Sequence, residues 1–182
     1  MRADDTALLV VDMQTRLLAV IPEGKRIEWN CRRLVDGAQI LSVQMAVTEQ
    51  NPEKLGATAA ALSAGLTEAP HAKMAFSCVA CGELFPQWQA AGIERVLLCG
   101  IETHVCVQQT AFDLLAAGYR VYIAADAVGT RGAIDHEMAL RRMESSGATI
   151  TTTEAALFEW CERAGTDAFR KISALAKESA PA

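Results

Sequence analysis

A chain of 182 residues, 51% hydrophobic and 21% charged, has the apolar content for one substantial core, which predicts a single folded domain over residues 1–182 and excludes a disordered chain. Its net charge of -5, from 22 acidic against 17 basic side chains with no basic cluster, excludes a general nucleic-acid binder. No apolar run approaches the roughly 20 residues that span a bilayer, and the opening M-R-A-D-D-T has an acidic pair where a secretory signal needs a basic start, so the expectation is a cytoplasmic protein without a membrane partner.

The run T-A-L-L-V-V-D, residues 6–12, is nearly continuous in apolar residues, as in a parallel strand covered on both faces. Residues 27–41 have helical spacing, with Cys31, Leu34, Val35, Ala38 and Leu41 on or near one face. A short strand at 45–48 is followed by a loop containing Asn51 and Pro52, a helical stretch at 57–66, an extended piece at 70–77 and a helix at 83–91. The second half alternates more plainly. A strand at 95–99 leads to a helix at 104–117 ended by Gly118, and a strand at 120–124 leads to a helix at 133–145 ended by Gly147. A strand at 148–151, a helix at 154–163 and an amphipathic helix at 166–177 complete the chain. This order predicts an α/β fold, a three-layer α/β/α sandwich with a central parallel, Rossmann-like sheet of about six strands.

In such sheets ligands bind beyond the carboxyl ends of the strands. Asp12 stands after the first strand, Lys73 lies in the extended piece 70–77, and Cys106 follows the strand at 95–99. An acid, a cation and a thiol thus fall toward one edge, with no glycine-rich nucleotide turn after the first strand. Each also has a plain alternative: Asp12 as a turn cap, Lys73 as a solvated charge, Cys106 as a small packed hydrophobe. A thiol in the first turn of a helix is favoured as a nucleophile, because unpaired N–H groups there stabilise negative charge. The six cysteines, Cys31, Cys78, Cys81, Cys99, Cys106 and Cys161, need not form a disulfide framework in a chain with a core of this size, so reduced thiols are expected. Cys78-Val-Ala-Cys81 is a lone C-x-x-C, without the second pair a structural zinc site needs.

Three separated motifs, V-V-D-M-Q at 10–14, K-M-A-F-S at 73–77 and G-I-E-T-H-V-C-V at 100–107, together with A-A-D-A-V-G-T-R at 124–131, resemble the isochorismatase-like cysteine hydrolases, and most of all the short isochorismatase-domain branch. That resemblance implies an Asp-Lys-Cys triad of Asp12, Lys73 and Cys106, with Cys106 as nucleophile, Asp12 as general base and Lys73 favouring the thiolate. It also implies an oxyanion hole from the backbone N–H groups of Cys106 and Glu102, the latter presented by a cis peptide between Ile101 and Glu102. The implied reaction is hydrolysis of a C–N bond in a small amide through a thioester, by a homo-oligomer acting on a small molecule. Nicotinamidases of the superfamily carry a metal-binding Asp-x-His where this chain has Thr48-Glu49-Gln50, so neither a metal nor another cofactor is expected.

Gln14, Gln50, Phe76, Ser77 and Thr103 are the candidate pocket residues. His104 is two residues from Cys106 and should face away from it on a helix, at the pocket rim or surface, while His71 can share the face of Lys73 in the extended segment and His136 is expected to be solvated. A catalytically silent interaction module and a thiol redox sensor on Cys106 are the alternatives on the same fold.

Overall fold

The apolar run at the amino-terminal end forms strand β1 (Thr6–Val11), every residue of which is buried. The computed structural model describes residues 1–66 and 68–181. After β1 come α1 (Thr15–Leu18), α2 (Gly24–Leu41), β2 (Gln44–Gln50), α3 (Pro52–Leu55), α4 (Ala60–Ser63) and β3 (His71–Lys73). A 3-10 turn (Cys78–Ala80) and α5 (Leu84–Ala90) lead into β4 (Arg95–Ile101), a π turn (Thr103–Val107) and α6 (Gln108–Ala116). The remainder is β5 (Arg120–Gly129), α7 (Ala133–Ser145), β6 (Thr149–Thr151), α8 (Thr153–Cys161) and α9 (Asp167–Ala176). All six strands are parallel, as the alternation predicted, and they lie in the order β3-β2-β1-β4-β5-β6.

Strand alternation divides the core in two. Leu8 and Val10 pack with Leu34 of α2, Leu157 of α8 and Ile172 of α9. Ala7, Leu9 and Val11 pack with Trp88 of α5, Leu114 of α6 and Met143 of α7. Each such fully buried Leu or Val contributes about 1.5–3 kcal/mol relative to exposure, so two helical layers hold the sheet. Among the described residues no helix is long and apolar enough to cross a membrane.

Several boundaries differ from the sequence reading for local reasons. The helix expected at 57–66 shrinks to the single turn α4, because Thr58 makes an antiparallel bridge to Gln14 that keeps the preceding chain extended. Pro52, at the first position of a helix, instead opens α3 within the expected loop. The helix expected at 104–117 begins as a π turn and becomes regular only at Gln108. β5 runs five residues past 124 and follows β4 through a register irregularity between Leu98 and Gly100. Of the extended piece 70–77, only His71–Lys73 pairs, against Thr48–Gln50.

The chain leaves β1 toward one side of the sheet and β4 toward the other, so the crevice beyond their carboxyl ends is the topological switch point. Gly100 sets how closely these strands approach. Its φ is +112°, and a Cβ there would stand 2.0 Å from the Val11 carbonyl oxygen and 2.7 Å from its nitrogen, atoms fixed in a central strand. Gly118 also has a positive φ, +89°, but nothing within 4 Å of a Cβ. Gly100→Ala is therefore expected to lose about 3 kcal/mol or more, against about 1–2 kcal/mol for Gly118→Ala, in urea unfolding of both variants. Equal losses would show that the close strand approach carries no weight.

Candidate active site

Asp12 directly follows β1, has a left-handed φ of +50° and is fully buried. Its N–H donates to the Thr48 carbonyl on β2 at 3.1 Å. Both carboxylate oxygens are engaged: Lys73 Nζ donates to Oδ2 at 2.7 Å, and Thr48 Oγ1 donates to Oδ1 at 2.7 Å. Lys73, the last residue of β3, also donates to Gln50 Oε1 at 2.8 Å and to the Phe76 carbonyl at 3.0 Å. Burial works to lower the Lys73 pKa, but Asp12, with smaller help from Cys78 and Cys106, outweighs it and holds the ammonium above its ordinary value. The pair is thus charged and almost fully enclosed.

Gln14 and Gln50 brace this pair. The Gln50 N–H donates to Gln14 Oε1 at 2.9 Å, while Gln14 Nε2 donates to the carbonyls of Gln50 and Gly56 at 3.1 and 2.5 Å. Gln50 Nε2 reaches the Met74 carbonyl at 2.8 Å. Gln14 is fully buried, with both ends of its amide on backbone, so it joins the β1 and β2 loops. Phe76 keeps its ring half exposed beside Lys73, and Ser77 accepts the Val79 N–H as the cap of the 3-10 turn.

Cys106 lies in the π turn, 6% exposed. The Ile101–Glu102 peptide before the turn is cis, and the Glu102 carbonyl accepts the N–H groups of Val105 and Val107 at 3.1 and 3.2 Å. The Cys106 thiol is pushed up: burial raises it most, the Asp12 carboxylate raises it next, and Lys73 opposes them. Lys73 therefore acts in the direction expected from the sequence but does not prevail, because its charge is already matched by Asp12. The resting sulfur is a thiol, and its ionisation requires a proton acceptor.

A second thiol that the sequence reading assigned only to a C-x-x-C pair stands at the same place. Cys78 is fully buried, its Sγ lies 3.5 Å from Thr48 Oγ1, and its N–H donates to Thr110 Oγ1 at 2.9 Å. The same Thr110 hydroxyl donates to the Cys106 carbonyl at 2.6 Å, tying the two segments together. Burial first, and Asp12 second, push the Cys78 thiol up to about 12. All six cysteines are free.

The histidines stand apart from Cys106. His104 Nδ1 shares a hydrogen bond with Thr130 Oγ1 at 2.8 Å, and His136 Nδ1 shares one with the buried Thr103 hydroxyl at 3.0 Å. Burial pushes His136 down, toward its neutral form. Thr130 and Arg131 both donate to Glu102 Oε1 at 2.9 Å. Burial would raise the Glu102 carboxyl, yet the hydrogen bonds from Arg131 and Thr130 hold it below its usual value. Among the described residues no group of three or more His, Cys, Asp or Glu side chains is arranged to hold a metal ion.

The isochorismatase domain model matches residues 6–155. The chain is 36% identical over 184 residues to the secreted isochorismatase effector Isc1 of Phytophthora sojae, covering 95% of this chain and 85% of that protein. It is 36% identical over 175 residues to isochorismatase domain-containing protein 1 of Danio rerio, covering 93% of this chain but only 60% of that longer protein. The solved structure of the MAR1 ribonuclease from Caenorhabditis elegans superposes with a TM-score of 0.91 at 35% identity, over 100% of this chain and 94% of that one.

Removing one member of a buried ion pair strands the other, so Lys73→Met is expected to lose about 3–5 kcal/mol in urea unfolding. The double variant Asp12→Asn/Lys73→Met should recover part of that loss. Because the Lys73 value is raised, the pair's contribution is complete below the ordinary lysine value of 10.5 and fades as pH climbs through the raised one. The gap between the native chain and Lys73→Met should therefore stay constant across neutral and mildly alkaline pH. A gap already closing at neutral pH would show that Lys73 is not held charged.

Proposed function

The chain belongs to the isochorismatase family, and within that superfamily of hydrolases we propose that it is a cysteine-dependent enzyme that cleaves a C–N bond of a small amide, with Cys106 as nucleophile. One observation carries this reading: a carboxylate gripped on both oxygens by Lys73 and Thr48 lies in the same buried nest as a protonated thiol. Such a thiol needs a base, and Asp12 is the anionic group beside it.

In this mechanism Asp12 takes the Cys106 proton as the sulfur attacks the carbonyl carbon. The oxyanion that forms is met by the N–H groups of Glu102 and Cys106. Asp12 then gives its proton to the leaving nitrogen, the C–N bond breaks and a thioester remains. Water attacks the thioester with Asp12 as base, the acid leaves, and the proton returns to the Cys106 sulfur. Lys73 stays charged throughout and holds the Asp12 oxygens in place. The reading takes Phe76, Ser77 and Thr103 as the border of a site for a small substrate. The same reading carries no cofactor, a cytoplasmic setting and, from the resemblance, a homo-oligomer.

The name of the C. elegans relative raises nuclease activity as a second class. Against it for this chain stands the net charge of -5 without a basic cluster in the sequence. A silent module or a redox sensor would leave the Asp12–Lys73 pair without a task.

A panel of small amides, carbamoyl compounds and nicotinamide is expected to yield turnover that Cys106→Ala abolishes. Asp12→Asn should lower turnover about 100-fold or more. It should also slow iodoacetamide labelling of Cys106 near neutral pH, since burial keeps the sulfur a thiol and its proton acceptor is gone. Near-normal turnover in Asp12→Asn would remove it as the base, and cleavage of RNA rather than amides would favour the nuclease reading. Prolonged chelation should change neither folding nor turnover, because Thr48 and Gln50 are poor zinc ligands. Loss of turnover restored by zinc would overturn the metal-free mechanism.

A further inference from the structure

Thr48 carries the clearest unassigned role. It is fully buried on β2 and holds Asp12 at two points, its carbonyl accepting the Asp12 N–H at 3.1 Å and its hydroxyl donating to Oδ1 at 2.7 Å. We propose that Thr48 is a positioning residue for the candidate base, its hydroxyl holding the Asp12 carboxylate in place while Cys106 gives up its proton. This rests on the reading of Asp12 as base and Cys106 as nucleophile.

The direction of each bond follows from the donors available. A carboxylate beside an ammonium at 2.7 Å only accepts, so Thr48 commits its single proton to Oδ1. Its oxygen then faces Cys78 Sγ at 3.5 Å as an acceptor, and Cys78 donates through S–H. Cys78 rests protonated, because burial and the nearby Asp12 charge both disfavour its thiolate. The order Cys78, Thr48, Asp12 is therefore a one-way chain of donors ending on the carboxylate. Every donor on Asp12 favours its charged form, and a charge-assisted bond does so more than a neutral one.

The titratable groups facing Asp12 are Lys73 from β3, Cys78 and Cys81 from the 3-10 turn and its end, and Cys106 from the π turn. Of these, Lys73 is already committed to Oδ2 and Cys78 to the Thr48 oxygen. Valine has nearly the shape of threonine and keeps the Thr48 carbonyl, so Thr48→Val removes the hydroxyl with little else. Serine keeps the hydroxyl and loses a methyl group.

The test is the pH dependence of Cys106 alkylation by iodoacetamide, read by peptide mass spectrometry, which needs no substrate. With Asp12 as the internal base, labelling of the native chain should rise with pH to a plateau below the range of an ordinary thiol. In Thr48→Val the half-plateau pH should move up by about one to two units, the worth of one hydrogen bond to a charged group. Thr48→Ser should keep the native value. Should Thr48→Val fail to fold, Thr48→Ala carries the same expectation. A hydroxyl-free variant with an unmoved half-plateau, or a Thr48→Ser shifted as far as Thr48→Val, would overturn the proposal while leaving Cys106 and Asp12 in their roles. A native chain whose Cys106 labels like an ordinary thiol, with no plateau of this kind, would overturn the reading of Asp12 as base and Thr48's role with it.

Discussion

The buried ion pair between Lys73 and Asp12 is the constraint from which the rest of the site follows. Removing both charges from water costs several kcal/mol per ion, and their mutual attraction offsets this only if the remaining hydrogen-bonding capacity is filled. Here it is filled by four groups on two segments: the Thr48 and Gln50 side chains of β2, and the Ala75 and Phe76 carbonyls after β3. The ends of β1, β2 and β3 must therefore lie within a few ångströms of one another, and the brace between Gln14 and Gln50 holds them there. A structure that only had to be stable would place an apolar pair at this point, because well-packed hydrophobic residues are often as stable or more so. Retention of the charges accords with chemistry at Cys106.

Charge balance explains why the thiol rests protonated beside a lysine. Asp12 and Lys73 together are neutral, so the sulfur feels little net attraction and the desolvation of a thiolate dominates. Moving the proton from Cys106 to Asp12 conserves the total charge and places the new anion near the same ammonium. No ion has to enter or leave the buried site during that step. On the proposed mechanism the cluster would store a nucleophile in its least reactive form and release it through an internal transfer, which would also limit adventitious oxidation of the sulfur.

The parallel order of the strands and the long helices were legible in the sequence because they rest on periodicity over many residues, as in β1 or the stretch that becomes α2. Position after the strands brought Asp12, Lys73 and Cys106 toward one edge, while their reading as a triad came from the resemblance of the motifs that contain them. The one-turn helices α1 and α3 were not legible, since four residues are too few to show a period, and α4 was read only as part of a longer helix. Thr48 and Cys78 escaped for a different reason. A threonine in a strand reads as ordinary β propensity, and a buried cysteine reads as packing, so only the 2.7 Å and 3.5 Å contacts reveal that both point at the carboxylate. Gln14 and Gln50 suggested substrate contacts from their positions, whereas their amides meet each other's segments across a sequence separation of 36 residues.

Face alternation shows why Asp12 needs its left-handed backbone. Ala46 lies in the same cluster as Cys78 and Cys106, so Thr48 and Gln50, two and four residues on, share that face, and Lys73 lies opposite Gln50 in the register. On β1 the same face is taken by Ala7, Leu9 and Val11, and unbroken alternation would send residue 12 to the side of Leu8 and Val10. The φ of +50° ends the strand at that residue, and the carboxylate meets Thr48 and Lys73 instead. Aspartate and asparagine are the non-glycine residues that adopt this conformation most readily. The backbone and the chemistry therefore select the same small set of side chains, and only aspartate in that set can accept a proton from Cys106.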